Sequence, residues 1–437
     1  MNGQGRRGFL KSAGAAAISG SASRILGANE RVNVGIVGLG GRGTDHVDTY
    51  APLENCKIAA VCDVNQAAGE RAVARVEKLQ GHKPKAYSDM RQMFADQEVD
   101  AVSIATPNHW HALAAIWAMQ AGKDVYLEKP ACHNVFEGRK LMEARQKYGR
   151  MVQVGSQGRS HGHKIKAMQL LRDGVIGKLY MAKGLCYKRR RSIGHTPDTP
   201  VPPGINWDLF LGPAQMKPFS KNKFAYNWHW FWDTGNGDIG NQGAHEIDVA
   251  RWGLAQGALP KSVVSTGAKF VYDDDQETPN TQLCSFDYGD CELVFEVRGL
   301  ITTAEGGLPH RGGNVIGDIF YGSEGCLVID YAGFQVYKGE KLEKVMDEKA
   351  VEKEDWDTGV HMVNFLRAVR TRDLRYCTAG IEEGVLSASL CHLANISYRT
   401  GRKLAVDPAK WEFVGDAEAN RMLTRDYRAP YVVPERV

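Results

Sequence analysis

The feature that most constrains the fold is a β-branched run near the N-terminus that leads directly into a glycine-rich turn. The run occupies residues 32–37, and the turn is Gly38-Leu39-Gly40-Gly41-Arg42-Gly43, followed by a helix-like segment at 44–50. With this spacing the first glycine makes a tight bend, the second admits a pyrophosphate to the backbone N–H groups, and the third lets the helix pack closely on the strand. The segment predicts the first unit of a dinucleotide-binding domain, with these cofactor contacts: Gly38, Gly40, Gly41, Arg42 and Gly43.

An acidic residue lies where such a domain reads the ribose of its cofactor. Residues 57–62 have the composition of a second strand, and they end at Asp63, twenty residues after Gly43. A carboxylate at this place accepts hydrogen bonds from both ribose hydroxyls of NAD and repels the 2′-phosphate of NADP. The sequence therefore predicts NAD as the cofactor, with NADP the less favoured alternative.

The fold class follows from how strand-like and helix-like segments are arranged along the chain. They alternate at βαβ spacing up to residue 154, which predicts a doubly wound parallel sheet, a Rossmann domain of the α/β class, over residues 29–160. From residue 179 short β-rich runs appear instead, separated by Gly, Asp and Asn turns. They predict an α+β domain over residues 161–437, with a large, open and mainly antiparallel sheet for substrate binding and oligomerisation.

Ligands of doubly wound sheets bind beyond the carboxyl ends of the strands, so the residues at those ends are the candidates for chemistry. Two such ends carry polar side chains, Thr106-Pro107-Asn108-His109-Trp110-His111 and Glu128-Lys129-Pro130. His109 and His111 have no third metal ligand at suitable spacing, so no metal site is predicted. The predicted cofactor contacts at these ends are Thr106, Pro107, Asn108, His109, His111, Glu128 and Lys129.

Together with the glycine turn, these motifs resemble the Gfo/Idh/MocA family of sugar and cyclitol oxidoreductases. The segment Gly237-Asp238-Ile239-Gly240-Asn241-Gln242-Gly243-Ala244-His245 resembles the second active-site segment of that family, and residues 382–402 resemble its C-terminal helix. The resemblance covers the chain from Arg31 onward. It implies that Lys129 lies beside the nicotinamide and the substrate and that His245 reaches the reacting hydroxyl.

One position departs from the family pattern. Many members carry Asp four residues before the histidine, and this chain has Asn241 there. Residues at i and i+4 on a helix are neighbours, so Asn241 is expected beside His245. An amide can hydrogen-bond a substrate hydroxyl or orient the imidazole, but it cannot stabilise an imidazolium as a carboxylate does.

These residue types fit the oxidation of a secondary alcohol. That reaction needs a hydride acceptor, a base for the hydroxyl proton and a donor that holds the developing alkoxide. NAD supplies the first, His245 is the predicted base, and Lys129 is the predicted donor. The predicted function is therefore an NAD-dependent oxidoreductase that acts on a CH–OH group of a sugar or glycoside.

The N-terminal segment has the charge pattern of a targeting signal. Residues 1–28 hold Arg6, Arg7, Lys11 and Arg24 and no acidic residue, which accounts for the whole net charge of +4. Arg6-Arg7 followed by a short Ala/Gly-rich stretch resembles a twin-arginine (Tat) export signal, and the alternative is a disordered basic leader. We expect a periplasmic or exported protein without a membrane span. The balanced charge of the remainder gives no support for a nucleic-acid partner.

Export limits the mechanism, because NAD is not freely available outside the cytoplasm. The cofactor is therefore expected to be held tightly and recycled in place. Three functions are compatible with that: an oxidoreductase that passes the stored hydride to a second carbonyl compound, as relatives of glucose-fructose oxidoreductase do; a glycosidase that oxidises C3 transiently and cleaves by elimination, as NAD-dependent α-N-acetylgalactosaminidases do; and a non-catalytic sugar-binding protein. The Tyr-Pro-Thr-His segment of those glycosidases is absent. The first function is favoured.

Several other features leave alternatives open. The basic run at 188–191 is either an anion site or a solvated patch, and Trp228, Trp230 and Trp232 are predicted to share one strand face, as a sugar-stacking wall or as packing. Cys284 and Cys291 flank a turn, and one interpretation is that they pair across a hairpin. The stretches 196–203 and 340–357 are predicted to be loops. Other candidate substrate contacts are Arg159, His161 and His163. The family resemblance implies a homodimer or homotetramer.

Overall fold

The computed structural model describes residues 30–351 and 358–437. The predicted export signal at 1–28 lies outside the described residues. The first sheet has six parallel strands in the order β3-β2-β1-β4-β5-β6. Its strands are β1 (Val32–Val37), β2 (Cys56–Cys62), β3 (Lys85–Tyr87), β4 (Ala101–Ile104), β5 (Asp124–Leu127) and β6 (Val152–Val154).

Helices cover both faces of this sheet, so its central strands are buried on both sides. Every residue of β4 and β5 is buried, as expected for a parallel sheet between helical layers. The strand order reverses between β1 and β4, which opens a crevice at their carboxyl ends. The predicted Rossmann fold is confirmed. The helices of this half are α1 (Gly41–Tyr50), α2 (Gln66–Gln80), α3 (Met90–Ala95), α4 (Asn108–Gln120), α5 (Val135–Tyr148) and α6 (Gly162–Arg172).

The second sheet has ten strands and is antiparallel except where β7 and β10 run parallel. Buried and more exposed residues alternate along β9 and β10, the pattern of a sheet with one face on a core. The predicted α+β architecture is confirmed. The strands are β7 (Leu179–Lys188), β8 (Ser262–Ala268), β9 (Thr281–Asp287), β10 (Glu292–Arg298), β11 (Asn314–Gly322), β12 (Gly325–Asp330), β13 (Gly333–Lys338), β14 (Glu343–Lys349), β15 (Leu404–Asp407) and β16 (Glu412–Phe413).

Two long helices from the C-terminal part of the chain tie the halves together. The other helices of this part are α7 (Trp207–Leu211), α8 (Gly237–Gly240), α9 (Gly243–Gly253) and α12 (Ala417–Arg421), and the two long helices are α10 (Thr358–Thr371) and α11 (Ile381–Thr400). Helix α10 places Met362 and Phe365 in the core beneath β1 and β2. Helix α11 places Val385 in the core of the first sheet and Leu390 in the core of the second. The chain therefore crosses back over the predicted boundary at residue 160.

Three local expectations are wrong. Within the predicted loop 340–357, residues 343–349 form β14, an edge strand rich in Lys and Glu. The segment Ala225–Trp230 is a 3₁₀ helix, so the three tryptophans do not share a strand face. Cys284 lies opposite Phe295 in the β9–β10 ladder, and both Cys284 and Cys291 are free, because Cys291 falls in the turn before β10 begins.

Within residues 30–351 and 358–437, no helix has the length and apolar character that a membrane crossing requires. The same ranges contain no group of three or more His, Cys, Asp or Glu side chains arranged to hold a metal ion.

The contact between the glycine turn and α1 is tight enough to test by stability. A Cβ atom at Gly43 would lie 1.7 Å from the carbonyl oxygen of Gly38, so Gly43→Ala forces the turn apart. We expect this variant to lose at least about 2 kcal/mol of unfolding free energy, measured by urea denaturation without cofactor. Gly69→Ala, in α2 where the added Cβ meets nothing within 4 Å, should gain up to about 1 kcal/mol. Equal stability of the two variants would contradict the packing described.

Candidate active site

A cavity of about 910 Å³ lies between the carboxyl edge of the first sheet and the elements that precede and follow α8. One end is formed by the glycine turn and Asp63, and the other end by residues of both halves of the chain. Most of the predicted site residues line this cavity: Gly38, Gly40, Gly41, Arg42, Asp63, Thr106, Pro107, Asn108, His111, Glu128, Lys129, Asn241 and His245. Gly43 lies behind the turn against Gly38.

The glycine turn forms a cradle at the N-terminus of α1. Gly38 has a φ of +82°, and a Cβ there would lie 2.7 Å from the carbonyl oxygen of Ala105. By contrast, a Cβ on Gly40 or Gly41 would meet nothing within 4 Å, so open space faces the first N–H groups of the helix. Space beside unpaired backbone donors and a positive helix end is what a pyrophosphate requires. The cradle therefore fits a dinucleotide.

Asp63 is fixed at the edge of this cradle. Its Oδ2 accepts a hydrogen bond from the N–H of Leu39 at 2.6 Å, and its Oδ1 accepts one from the N–H of Asn65 at 2.7 Å. Burial raises the pKa of Asp63, and the two backbone bonds oppose that rise. Each carboxylate oxygen retains acceptor capacity toward the cavity, which suits a ribose hydroxyl.

Glu128 is a buried anion held by two side chains of α1 and one from the segment that follows β6. Arg42 Nε donates to its Oε1 at 2.7 Å, His46 Nε2 lies 3.0 Å away, and Gln157 Nε2 donates at 3.3 Å. Burial alone would raise the pKa of Glu128, but the charge of Arg42 and the bond from His46 hold it well below its ordinary value. Glu128 is therefore a fixed charge that braces the turn and is not available as a base.

Lys129 follows Glu128 and reaches across the cavity. Its Nζ donates to the backbone carbonyl oxygen of Asn241 at 2.9 Å. Burial lowers the pKa of Lys129, while neighbouring Glu128 acts in the opposite direction. The peptide that follows is held by His111, whose Nδ1 lies 2.6 Å from the carbonyl oxygen of Pro130. His111 therefore positions the turn of Lys129 while lining the cavity.

Asn241 does not share a helix with His245, contrary to expectation. The chain leaves α8 at Asn241, which has φ −87° and ψ −95°, and α9 begins only at Gly243. This turn directs the carbonyl group of Asn241 to Lys129, while its Nδ2 donates to Tyr226 Oη at 3.2 Å. Both Asn241 and His245 nevertheless line the same cavity.

The imidazole of His245 is partly buried, and its surroundings favour the neutral form. Burial and then the positive charge of Lys129 hold the pKa of His245 well below its ordinary value. A neutral imidazole next to an ammonium group can accept a proton from a hydroxyl that the ammonium polarises. The pair thus has the electrostatics of a base and an alkoxide holder.

His109 is a packing residue and not a lining residue. Its Nε2 lies 3.0 Å from the carbonyl oxygen of Phe210 and its Nδ1 lies 3.2 Å from that of Thr234, so both ring nitrogens face backbone. Burial lowers its pKa to about 3. The predicted cofactor contact by His109 is not found, because the α4 helix turns this side chain toward the second half of the chain.

Several other candidates lie away from the large cavity. Arg159 is bound by Asp248, with Nε 2.8 Å from Oδ2, and His163 Nε2 lies 3.1 Å from the carbonyl oxygen of Asp330. The basic run divides: Arg190 donates to Asp238, while Lys188 lines the cavity and donates to Gln242 Oε1 at 2.9 Å. His161 borders a smaller cavity behind His245.

The cavity wall also contains Trp228 and Lys188, for which the sequence left alternatives open, and residues that the sequence did not single out. Trp228 stacks on the ring of His229 with centroids 3.6 Å apart, and burial lowers the pKa of His229 to about 3. The cluster of aromatic residues was visible in the sequence, but the strand interpretation gave it the wrong geometry. The additional wall residues at this end are Gln157, Lys188, Tyr226, Trp228, His229 and Gln242.

Comparison with protein families matches both halves of the chain. Residues 32–156 match the profile described as "Oxidoreductase family, NAD-binding Rossmann fold", and residues 177–296 and 323–433 match "Oxidoreductase family, C-terminal alpha/beta domain". The N-terminal half is thus an NAD-binding Rossmann domain.

Curated relatives match over a shorter region. A glycosyl hydrolase family 109 protein of Shewanella sp. (strain ANA-3) is 34% identical over 157 residues, which are 34% of each chain. An α-N-acetylgalactosaminidase of Shewanella oneidensis is 33% identical over 157 residues, again 34% of each chain. The chain therefore spans about a third of the length of these relatives.

Solved structures share the fold over most of the chain. GenD2 of gentamicin A biosynthesis, in complex with NAD, has a TM-score of 0.64 at 20% identity and covers 86% of this chain and 97% of its own. Levoglucosan dehydrogenase, in complex with NADH and levoglucosan, has a TM-score of 0.64 at 18% identity and covers 86% and 99%. At these identities the likeness shows the fold alone.

Filling the cradle should remove cofactor binding without unfolding the chain. Gly40 has extended backbone angles that a side chain tolerates, so Gly40→Val should keep the melting temperature of the cofactor-free protein. We expect its NAD affinity, measured by isothermal titration calorimetry, to fall by at least about tenfold, a change of about 1.4 kcal/mol. Gly257→Val, which also meets open space but lies outside the cavity, is the matched control. Unchanged affinity in Gly40→Val would refute the cradle.

The lowered pKa of His245 predicts its charge state. A depressed pKa keeps the imidazole neutral on the acid side of its ordinary titration, so at about pH 6 His245 should remain neutral. His195 is the internal contrast, because its hydrogen bond to Asp275 raises its pKa and it should be protonated there. Histidine-selective ¹⁵N NMR, assigned with His245→Gln and His195→Gln, measures both. A His245 signal that titrates with an ordinary midpoint would contradict the assignment.

Proposed function

Because the chain belongs to the Gfo/Idh/MocA oxidoreductase family, we propose that it oxidises a secondary hydroxyl of a sugar or glycoside, with NAD held in the large cavity. The observation that carries this proposal is the placement of Lys129 and His245 in one cavity with the cradle and Asp63. NAD, when bound, supplies the hydride acceptor that the reaction needs.

The proton chemistry falls to two side chains. Neutral His245 takes the hydroxyl proton of the substrate, and the ammonium group of Lys129 donates a hydrogen bond to the same oxygen as negative charge develops on it. One N–H of Lys129 is occupied by the carbonyl oxygen of Asn241, which leaves two for the substrate. The charge of Lys129 also keeps the resting imidazole neutral, so the base is ready before substrate binds.

Asn241 acts chiefly through its backbone. Its carbonyl oxygen orients Lys129, and its amide is held by Tyr226 at 3.2 Å and lies 3.5 Å from Asp238 Oδ1. An amide adds no charge near His245, so the imidazolium formed during oxidation needs another route for its proton. Asn241 is thus a positioning residue for the lysine in this proposal.

The shape of the substrate end suits a carbohydrate. Trp228 and His229 offer stacked ring faces to the cavity, and Gln157 and Gln242 offer amides. Sugar rings pack their C–H faces on aromatic surfaces and use amides for their hydroxyls. Lys188 adds a positive charge to this end and pairs with the neutral Gln242.

The proposal extends to where the protein acts. The Arg6-Arg7 leader supports export through the Tat system and a periplasmic location. An exported enzyme of this kind retains its NAD between turnovers and returns the hydride to a second substrate or to the same sugar.

A second candidate is a glycosidase that uses the same first step. Oxidation at C3 acidifies the C2 proton, elimination breaks the glycosidic bond, and addition of water followed by reduction restores the sugar. The names of the curated relatives favour it, since they include glycosyl hydrolase family 109 proteins. A non-catalytic sugar-binding protein fits less well, because it has no need for a half-buried ammonium group beside an imidazole whose pKa is lowered.

One experiment separates these functions. The mature protein is purified with its cofactor, and its absorbance at the reduced-nicotinamide band is followed as a panel of sugars and aryl glycosides is added. A change in absorbance without aglycone supports the oxidoreductase, and aglycone without net redox change supports the glycosidase. Tight sugar binding with neither signal would leave the binding protein.

Removing either reacting group should abolish turnover but not cofactor retention. Lys129→Met and His245→Gln keep the approximate size of each side chain, and we expect each to lower the rate of nicotinamide reduction by about 10²- to 10⁴-fold. NAD content, measured after acid release, should match wild type. His195→Gln, at an exposed ion pair, is the control and should keep full activity. Near wild-type rates in both site variants would overturn the assignment.

A further inference from the structure

His245 forms the wall between two cavities. A second cavity of about 30 Å³ lies on the other side of it, and His245 and Gln157 line both. We call this second cavity the rear cavity; Lys164 and Tyr331 also line it. Its volume exceeds what one water molecule needs, and its lining includes polar side chains that can hydrogen-bond to water. The base of the proposed reaction therefore has a small compartment with room for water behind it.

The ammonium group of Lys164 needs hydrogen-bond acceptors in the rear cavity. Its side chain is 4% exposed and its Nζ lies 4.6 Å from the centre of the Tyr331 ring. Within residues 30–351 and 358–437, its ammonium group has no hydrogen-bond acceptor and no ion-pair partner from the protein. A buried ammonium carries three N–H donors, and leaving them unsatisfied costs several kcal/mol. Water in the rear cavity is the group that can satisfy them.

Tyr331 connects the rear cavity to a buried carboxyl group. Its hydroxyl lies 3.4 Å from Oε1 of Glu246, a residue of α9 that is 1% exposed. Gln242 Nε2 lies 3.4 Å from both carboxylate oxygens of Glu246. Burial raises the pKa of Glu246 to about 7, opposed chiefly by the charge of Lys164, so the group can gain or lose a proton near neutrality.

The charged and titratable groups around Glu246 come from several elements. Asp318 on β11 is 1% exposed, neither of its carboxyl oxygens has a hydrogen-bond partner within the described ranges, and burial raises its pKa well above the ordinary value. Asp318 is therefore a second buried carboxyl group whose surroundings favour the protonated form. The titratable groups that interact electrostatically with Glu246 are Lys129, Lys164, Cys186, Lys188, Asp318 and Tyr331.

We propose that Glu246, reached from His245 through water in the rear cavity and Tyr331, stores the proton that leaves the substrate while the cofactor holds the hydride. The inference rests on the proposed function. The substrate O–H bond breaks and its proton passes to His245, while the C–H electron pair leaves as the hydride that the nicotinamide accepts. The imidazolium gives a proton to the water, the water gives one to Tyr331, and Tyr331 gives its own to the Glu246 carboxylate.

The proton store at Glu246 compensates for the absence of a carboxylate at Asn241. A carboxylate beside the histidine would stabilise an imidazolium, and here the charge is relayed away from it instead. When the hydride returns to a carbonyl compound, the same path runs in reverse and restores the neutral imidazole. A site that keeps its cofactor between half-reactions thereby keeps the matching proton as well.

The first part of the test needs no substrate. A high-resolution crystal structure of the NAD-containing protein should show water within hydrogen-bonding distance of a His245 ring nitrogen and of Lys164 Nζ. Infrared difference spectra between about pH 6 and about pH 8 should show a protonated carboxyl that disappears in Glu246→Gln and persists in Glu343→Gln, an exposed control. An empty rear cavity, or spectra that the two variants leave alike, would overturn the proton store.

The second part uses a sugar that reduces the bound cofactor. Tyr331→Phe and Glu246→Gln should each slow single-turnover reduction by at least about tenfold, with KM within about threefold and an altered solvent deuterium isotope effect. Glu246→Gln should also remove a rate inflection near neutral pH. Tyr321→Phe, on the second sheet and outside both cavities, is the control.

The outcomes separate the two proposals. Wild-type protein that no sugar reduces counts against the proposed function, and the crystal and infrared results still decide whether Glu246 takes up a proton. Reduction that proceeds at the same rate and with the same isotope effect in both variants counts against the proton store alone.

Discussion

The site depends on one ion pair, between the half-exposed Arg42 in the glycine turn and the buried Glu128 at the end of β5. The carboxylate draws together α1 through Arg42 and His46 and the segment after β6 through Gln157. Gly155 makes this possible, since a Cβ there would lie 2.8 Å from the Glu128 carboxylate. Lys129 is the next residue after Glu128. The contact between Arg42 and Glu128 therefore fixes both the glycine turn and the backbone position from which the Lys129 side chain extends.

The second half of the chain completes the site through backbone groups. Lys129 Nζ donates a hydrogen bond to the carbonyl oxygen of Asn241, and Asn395 Nδ2 donates one to the carbonyl oxygen of Asn236 at 2.9 Å. Asn108 Nδ2 donates to Asn236 Oδ1 at 3.0 Å. The segment that carries His245 is therefore anchored to both halves. The candidate site thus lies where the two halves of the chain meet. There, the turn between α8 and α9 presents the backbone carbonyl group of Asn241 to Lys129.

Much of the fold could be predicted because its signals are local. The strand, glycine turn and helix at 32–50 lie within one short segment. The carboxyl ends of parallel strands meet at one edge of the sheet, so the sequence predicts that Thr106 and Lys129 lie near each other, and both line the cavity. The helix break at Asn241 was missed because it depends on contacts with Tyr226 and Asp238 made after folding. Lys164, Glu246 and Tyr331 are far apart in the sequence and come together only in the folded chain. No sequence motif or spacing therefore predicts that they form a group.

Helix α11 has a consequence for how the molecule moves. Fourteen consecutive residues, from Gly384 to Ser397, are buried, and its side chains enter the cores of both sheets. A helix that is buried all round cannot serve as a hinge, because rotation of one sheet against the other would expose apolar surface on both sides. The two walls of the dinucleotide cleft thus form a rigid frame. We therefore expect a dinucleotide to enter and leave through movement of the loops and the 3₁₀ helix that line the cavity, while the two sheets keep their relative positions.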